Sequence, residues 1–233
     1  MKIVFFSDAH GNQYAVKSFM DNIKKISPDR IIFGGDIFGY YYGTNEIIDI
    51  FRKGNIECLL GNHDRMFLNL IEGKIAEKEL IQKYGNSYRE IAAKISEENI
   101  DFLASLESRK DIRMDGLSMV FVHGSISDPL NGRVYPDTVI ENESDYNQYD
   151  YVFCGHTHHK MVRKVGKALL LNPGSIGQQR DGKGCSYLIF NTDNSNFEMI
   201  TVDYNRQALV KEIKDNDFGE MQDRLIEVLF RGQ

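Results

Sequence analysis

Short apolar runs that end in polar clusters, with helical periods between them, constrain this chain more than any other feature. Lys2 to Ser7 is such a run, rich in β-branched and aromatic residues, and it reads as a buried strand. From Asn12 to Ile26 apolar residues recur at Tyr14, Ala15, Phe19, Ile23 and Ile26, a helical period. Pro28-Asp29 breaks that helix. Arg30 to Phe33 is strand again, Asn45 to Phe51 is helical, and Ile56 to Leu60 is a third strand. The alternation predicts a mixed α/β sheet with helices on its faces. Polar residues stand at the carboxyl end of each strand, where open α/β sheets bind ligands.

The rest of the chain changes character twice. Residues from about Arg65 to Ser108 are the most helical, with apolar positions such as Leu70, Leu80, Ile91 and Leu103, and predict consecutive helices over one edge of the sheet. Strands follow at Asp111–Met114, Leu117–Val122, Tyr151–Cys154, Ala168–Leu171, Ser186–Phe190 and Phe197–Val202, with turn signals at Gly116, Gly166 and Asp193-Asn194. They predict a second sheet packed on the first. Ser125 to Tyr149 reads as an irregular loop over the site, and Arg206 to Gly232 as one or two amphipathic helices. With 233 residues the chain can bury one substantial core.

The net charge of −6 gives no global attraction for nucleic acid, so stable nucleic-acid binding is not expected. Local positive charge for an anionic substrate would then come from bound metal. Cys58, Cys154 and Cys185 are odd in number, widely spaced and set in apolar runs, which argues against a disulfide framework and for a reducing compartment. The start, MKIVFFSDAHGN, lacks a leader pattern, and no apolar stretch is long enough to span a membrane. The expected location is the cytoplasm, with no membrane partner.

Five of the six histidines fall in motifs at strand ends: Asp8-Ala9-His10, Gly61-Asn62-His63-Asp64, Val122-His123-Gly124 and Gly155-His156-Thr157-His158, joined by Gly35-Asp36. His159 fits no such slot. In an extended segment residues i and i+2 point the same way, so Asp8 and His10 can reach one cation, while His156 and His158 can serve the same one or two. Carboxylate, amide and imidazole donors suit manganese, iron, zinc or nickel. Seven donors, Asp8, His10, Asp36, Asn62, His123, His156 and His158, are too many for one cation and suit two. Paired cations about 3.5–4 Å apart are a recurring device for displacement at phosphorus. His63 is the candidate proton donor to the leaving group, because its neighbour Asn62 has a ligand role and adjacent residues of an extended turn point apart.

The ordered set D-x-H, G-D, G-N-H-D, H-G and G-H-T-H resembles the calcineurin-like metallophosphoesterases. VHGSISDPLNG, NPGSIGQQRDG and the stretch from about Val210 to Gly232 resemble a bacterial and archaeal branch of small single-domain phosphoesterases or phosphodiesterases, over almost the whole chain. The resemblance implies one domain over 1–233 and a four-layer αββα sandwich of two mixed β-sheets flanked by helices. It implies two divalent cations, manganese foremost. Asp8, His10 and His158 would hold one, Asn62, His123 and His156 the other, and Asp36 both, with His63 over the phosphate. Two departures stand out. The extended G-D-x-V-D-R-G and G-N-H-E of the protein phosphatases are absent, which argues against a phosphoprotein substrate. Gln179 also stands where the branch usually shows proline.

Arg180 is a candidate phosphate ligand, and Tyr40, which follows the Asp36 motif, a candidate substrate contact. Arg133, Arg163 and Lys183 are weaker candidates. The expected substrate is a small phosphorylated molecule or nucleotide, cleaved as a diester. A phosphomonoesterase and a non-catalytic scaffold are the competing readings. The complete donor set and His63 argue against the scaffold. The oligomeric state stays open.

Overall fold

Alternation along the first strand, β1 (Lys2–Phe6), shows how the molecule is layered. Ile3 and Phe5 enter one apolar cluster and Val4 and Phe6 another, as a two-residue period demands. The structure is a computed structural model that describes residues 1–231. In its first sheet β1 pairs in parallel with β2 (Arg30–Phe33), and β2 in parallel with β3 (Glu57–Cys58). On its other side β1 meets β9 (Ser186–Asn191) antiparallel, and β9 meets β10 (Asn196–Thr201).

The second sheet runs β4 (Arg109–Met114), β5 (Leu117–Val122), β6 (Tyr151–Phe153), β8 (Ala168–Pro173), β7 (Lys160–Val165). β5, β6 and β8 are parallel, and β4 and β7 are antiparallel edges. Between the sheets Ile3, Phe5, Ile32, Leu188 and Phe190 meet Met119, Phe121, Phe153 and Leu171. The Phe121 and Phe153 rings stack 4.4 Å apart, and Phe5 lies 5.6 and 5.5 Å from them.

Helices α1 (Gln13–Ile26) and α2 (Thr44–Lys53) cover the outer face of the first sheet. The helices expected from about Arg65 to Ser108 are α3 (Asn62–Ile71), α4 (Glu77–Tyr84), α5 (Ser87–Ala92) and α6 (Glu97–Ala104), whose Phe67, Leu80, Tyr88 and Leu103 complete that cluster. The architecture is the expected pair of mixed sheets flanked by helices, except that β9 and β10, expected in the second sheet, complete the first, because β9 pairs along the free side of β1. The stretch Ser125–Tyr149 does more than cross the site. Its Val134, Tyr146 and Tyr149 plate the outer face of the second sheet against Val120, Val152 and Leu170, with a short 3-10 helix at Glu143–Gln148.

The chain closes with α7 (Arg206–Asn216), α8 (Gly219–Glu227) and a 3-10 turn at Val228–Phe230. Gly232, where the closing helices were expected to end, lies outside the described residues. Leu209, Ile213, Leu225 and Leu229 pack around Tyr41, which is fully buried. The middle of the Tyr40-Tyr41-Tyr42 run is therefore core. β7 has no counterpart among the strands expected from the sequence, because Lys160, Arg163 and Lys164 break its apolar pattern. Its edge position explains those cations, since charged side chains blunt a sheet edge against further pairing.

Candidate metal centre

The loops after β1, β2, β3, β5 and β6 meet at one rim of the two sheets, and every metal-ligand candidate sits there. Asp8 and His10 follow β1, Asp36 follows β2, Asn62 and His63 open α3, His123 follows β5, and His156 and His158 lie between β6 and β7. Two trios of donor atoms form, Asp8–His10–His158 and Asp36–His123–His156, and a third, His10–Asp36–His63, spans them. Asn62 Oδ1 lies 3.0 Å from His123 Nε2, which places it beside the second trio. His156 and His158 thus face different trios.

The local geometry is not the extended one expected. Asp8, His10, Asp36, His156 and His158 have φ of 60°, 48°, 65°, 64° and 59°, the left-handed region. Non-glycine residues there cost about 1–3 kcal/mol each and cluster at functional sites. Asp8 and His10 are brought together by this turn and not by strand alternation. Asn62 and His63 are likewise the first two residues of a helix, separated by about 100° of rotation and not by a pleat. Glycine permits the close approach: a Cβ on Gly61 would stand 2.1 Å from Asp36 Oδ1.

The donor set has the chemistry of a cation site. His10 Nδ1 lies 2.6 Å from the Phe38 carbonyl oxygen and His158 Nδ1 2.5 Å from that of Gln178. A carbonyl only accepts, so each Nδ1 carries the proton and each Nε2 presents a lone pair. Those two Nε2 atoms are 2.9 Å apart. His123 is anchored in the same way, with Nδ1 donating to Gly34 O at 2.8 Å, while its Nε2 faces His156 Nδ1 at 3.2 Å and Asp36 Oδ2 at 3.3 Å. Asp8 Oδ1 is buried without a hydrogen-bond partner, 3.3 Å from His158 Nε2. Lone pairs converging in a buried place call for positive charge between them. Imidazoles fixed by a backbone carbonyl on the far nitrogen are the usual form of metal ligands.

Electrostatics agrees. Burial opposes ionisation of Asp8 and Asp36, yet the surrounding imidazoles, His158 for Asp8 and His123 for Asp36, hold both carboxyls below their usual range. Burial pushes His10 well down, and His63 and His156 to about 4. His123 differs: burial opposes its charge, but the Asp36 and Asp8 carboxylates outweigh burial and push it up to about 9. Charged carboxylates and neutral imidazoles are the forms in which these groups bind metal, so a cation at the second trio would have to displace the His123 proton.

The sequence pointed to less of the supporting frame. The Asp64 carboxylate accepts N–H bonds from Asp36, Ile37, Phe38 and Gly61 at 2.8–3.0 Å, tying the loop after β2 to the start of α3. Its place in G-N-H-D was the available signal. Tyr88 Oη lies 2.7 Å from His63 Nδ1, and the Tyr84 ring packs 4.7 Å from the His63 ring. Both tyrosines lie in the helical insertion, where nothing local marks them. The turn Asn172-Pro173-Gly174-Ser175 supports the loops: Asn172 Nδ2 donates to Gly155 O and Ser175 Oγ to Asp8 O, at 2.8 and 2.7 Å.

Of the three arginine candidates, two approach the centre, by different histidines. Arg133 Nε lies 3.2 Å from His156 Nε2. Arg180 donates to Tyr40 Oη at 2.7 Å, and the Tyr40 ring lies 4.9 Å from His10 and 5.3 Å from His63. Arg163 donates to the Thr138 carbonyl at 2.6 Å, a structural contact.

Comparison with known proteins agrees with this geometry. Residues 1–195 match the model of the calcineurin-like phosphoesterase superfamily domain. The uncharacterized protein MJ0912 of Methanocaldococcus jannaschii is 30% identical over 99% of this chain and 98% of its own length. Phosphodiesterase MJ0936 of the same organism is 26% identical over 66% of this chain and 82% of its own. In fold, the chain is similar to a metallophosphoesterase from Sphaerobacter thermophilus, with a TM-score of 0.76, 24% identity and coverage of 100% of this chain and 99% of that one.

Proposed function

The chain belongs to the calcineurin-like phosphoesterase superfamily, and from that premise we propose that it hydrolyses a small phosphodiester or nucleotide at a centre of two divalent cations. The observation that carries the reading is the convergence of the unprotonated Nε2 atoms of His10 and His158 on the ionised Asp8, whose Oδ1 is left unpartnered between them. Asp8, His10 and His158 would hold the first cation and Asn62, His123 and His156 the second, while Asp36, whose Oδ2 lies 3.8 Å from His10 Nε2 and 3.3 Å from His123 Nε2, would serve both. A bound pair of divalent cations supplies an activated water and positive charge for the phosphoryl oxygens.

The chain's own residues do the rest. Arg133 and Arg180 bring fixed positive charge to the two flanks of the phosphate. Burial keeps the Tyr88 phenol protonated, so it can donate to His63 Nδ1. The proton of the neutral His63 ring then stands on Nε2, available to the leaving oxygen. The name of phosphodiesterase MJ0936 favours diesters.

Protein saturated with manganese is expected to hold two ions per chain by elemental analysis. A content of one ion or less at saturation overturns the dinuclear reading. A panel of aryl and nucleotide esters, assayed with manganese, nickel, zinc and magnesium in turn, tests the substrate. Diesters are expected to be turned over at rates comparable to or above those of aryl monoesters. A monoester rate more than about a hundredfold above every diester, roughly 2.7 kcal/mol in the barrier, would make the protein a monoesterase instead.

A further inference from the structure

Beside the metal-ligand cluster runs a groove of about 210 Å³, of which the proposed reaction uses Arg180 alone. Lys83 of α4, Arg180, Arg224 of α8 and Arg231 line it, together with one carboxylate, Glu227. Four cations to one acid is a sharp local reversal in a chain whose net charge is −6. Among the described residues none of the four forms an ion pair, whereas five of the other arginines do. Lys83 and Arg224 stand in the last turns of α4 and α8, where a cation suits the helix dipole, and Arg180 is held by Tyr40 and Gln178, but the four like charges together still set up a repulsion. An anion from outside resolves it.

The groove is continuous with the centre. Its inner wall is Tyr40, whose ring packs on His10 and His63 and whose hydroxyl accepts from Arg180. Gln178 joins the two from below: its carbonyl accepts from His158 Nδ1, and its side-chain oxygen from Arg180 at 3.3 Å. A molecule whose scissile phosphate lies at the cluster would thus carry its remaining part past Tyr40 into a basic channel. Guanidinium groups recognise phosphate oxygens by paired, charge-assisted hydrogen bonds.

We propose that this groove is a second phosphate subsite, and that the substrate is an ester carrying a phosphate beyond the one that is cleaved. The inference rests on the reaction proposed above and narrows its substrate to nucleotides or metabolites with at least two phosphates. Lys83, Arg224 and Arg231 bind the distal phosphate, and Arg180 stands between the two positions.

Calorimetric titration of the manganese-loaded full chain at low ionic strength tests this with thymidine 3′,5′-bisphosphate and thymidine 5′-monophosphate, which differ by one phosphate. The bisphosphate is expected to bind about tenfold or more tightly than the monophosphate. In a protein carrying Arg224→Gln and Arg231→Gln, both at exposed positions, that preference is expected to fall to near one. Equal binding of the two ligands by the unaltered chain, or a preference unchanged in the double variant, overturns the proposal. Neither result depends on turnover. A chain that shows the preference yet cleaves no diester retains the subsite and loses the proposed reaction. A chain that cleaves diesters without the preference retains the reaction and loses the subsite.

Discussion

Asp36→Asn is expected to empty both cation positions together and to lower turnover by more than about a thousandfold, or about 4 kcal/mol. One carboxylate reaches both trios: Oδ2 faces His10 and His123 while Oδ1 accepts the His63 backbone N–H at 2.8 Å. Asparagine replaces one of those oxygens with a group that only donates. If its nitrogen takes the Oδ1 position it opposes the His63 N–H. If it takes the Oδ2 position it turns hydrogens toward the cations. The backbone of Gly61 comes too close for the side chain to evade either choice. Elemental analysis and turnover across a manganese titration are the measurements. A variant with two ions per chain and an unaltered rate would show that Asp36 serves neither.

His63→Ala is expected to cost about 10²–10⁴ in turnover, the usual worth of a general acid, while two metals stay bound. The loss should shrink on esters with very acidic leaving groups, which depart without a proton. The third trio, His10–Asp36–His63, makes metal content the deciding readout, because a ring so close to Asp36 is also placed to be a ligand. Asn62→Ala is the control: it should weaken the second cation and be partly rescued by excess metal. Loss of metal in His63→Ala, or an equal rate loss on good and poor leaving groups, refutes the proton-donor role.

Much of this is legible in the sequence. Apolar runs such as Lys2–Ser7 and Arg30–Phe33, closed by Asp or Gly-Asp, gave the parallel strands and the rim where the ligand candidates gather, because strand burial and strand ends are written locally. β7 was not legible, since Lys160, Arg163 and Lys164 give an edge strand the look of a loop. The left-handed turns at Asp8, His10, His156 and His158 escaped for a different reason. Asp and His enter the left-handed region more readily than most residues, but nothing local marks these four, and tertiary hydrogen bonds such as Asp8 N to Gly35 O and Gly177 N to Asp8 O hold them where they are. The supports at Asp64 and Tyr88 likewise act across the fold. Tyr88 sits 25 residues from the histidine it steadies.

The place of β1 also governs when this protein can come into being during synthesis. β1 lies in the middle of its sheet, and its second neighbour is β9, with Lys2 opposite Asn191. A ribosome adding about 5–20 residues per second therefore leaves the first strand half-paired for roughly ten seconds or more. Throughout that interval β1 shows a bare apolar edge to every other nascent chain, the situation in which long-range sheets are slow and prone to aggregate. The ligand loops after β1 and β6 are bound to the same timetable, since Ser175 and Gly177, which fasten Asp8, emerge late. Cations offered to the growing chain would find the assembled rim only once nearly all of it had been made.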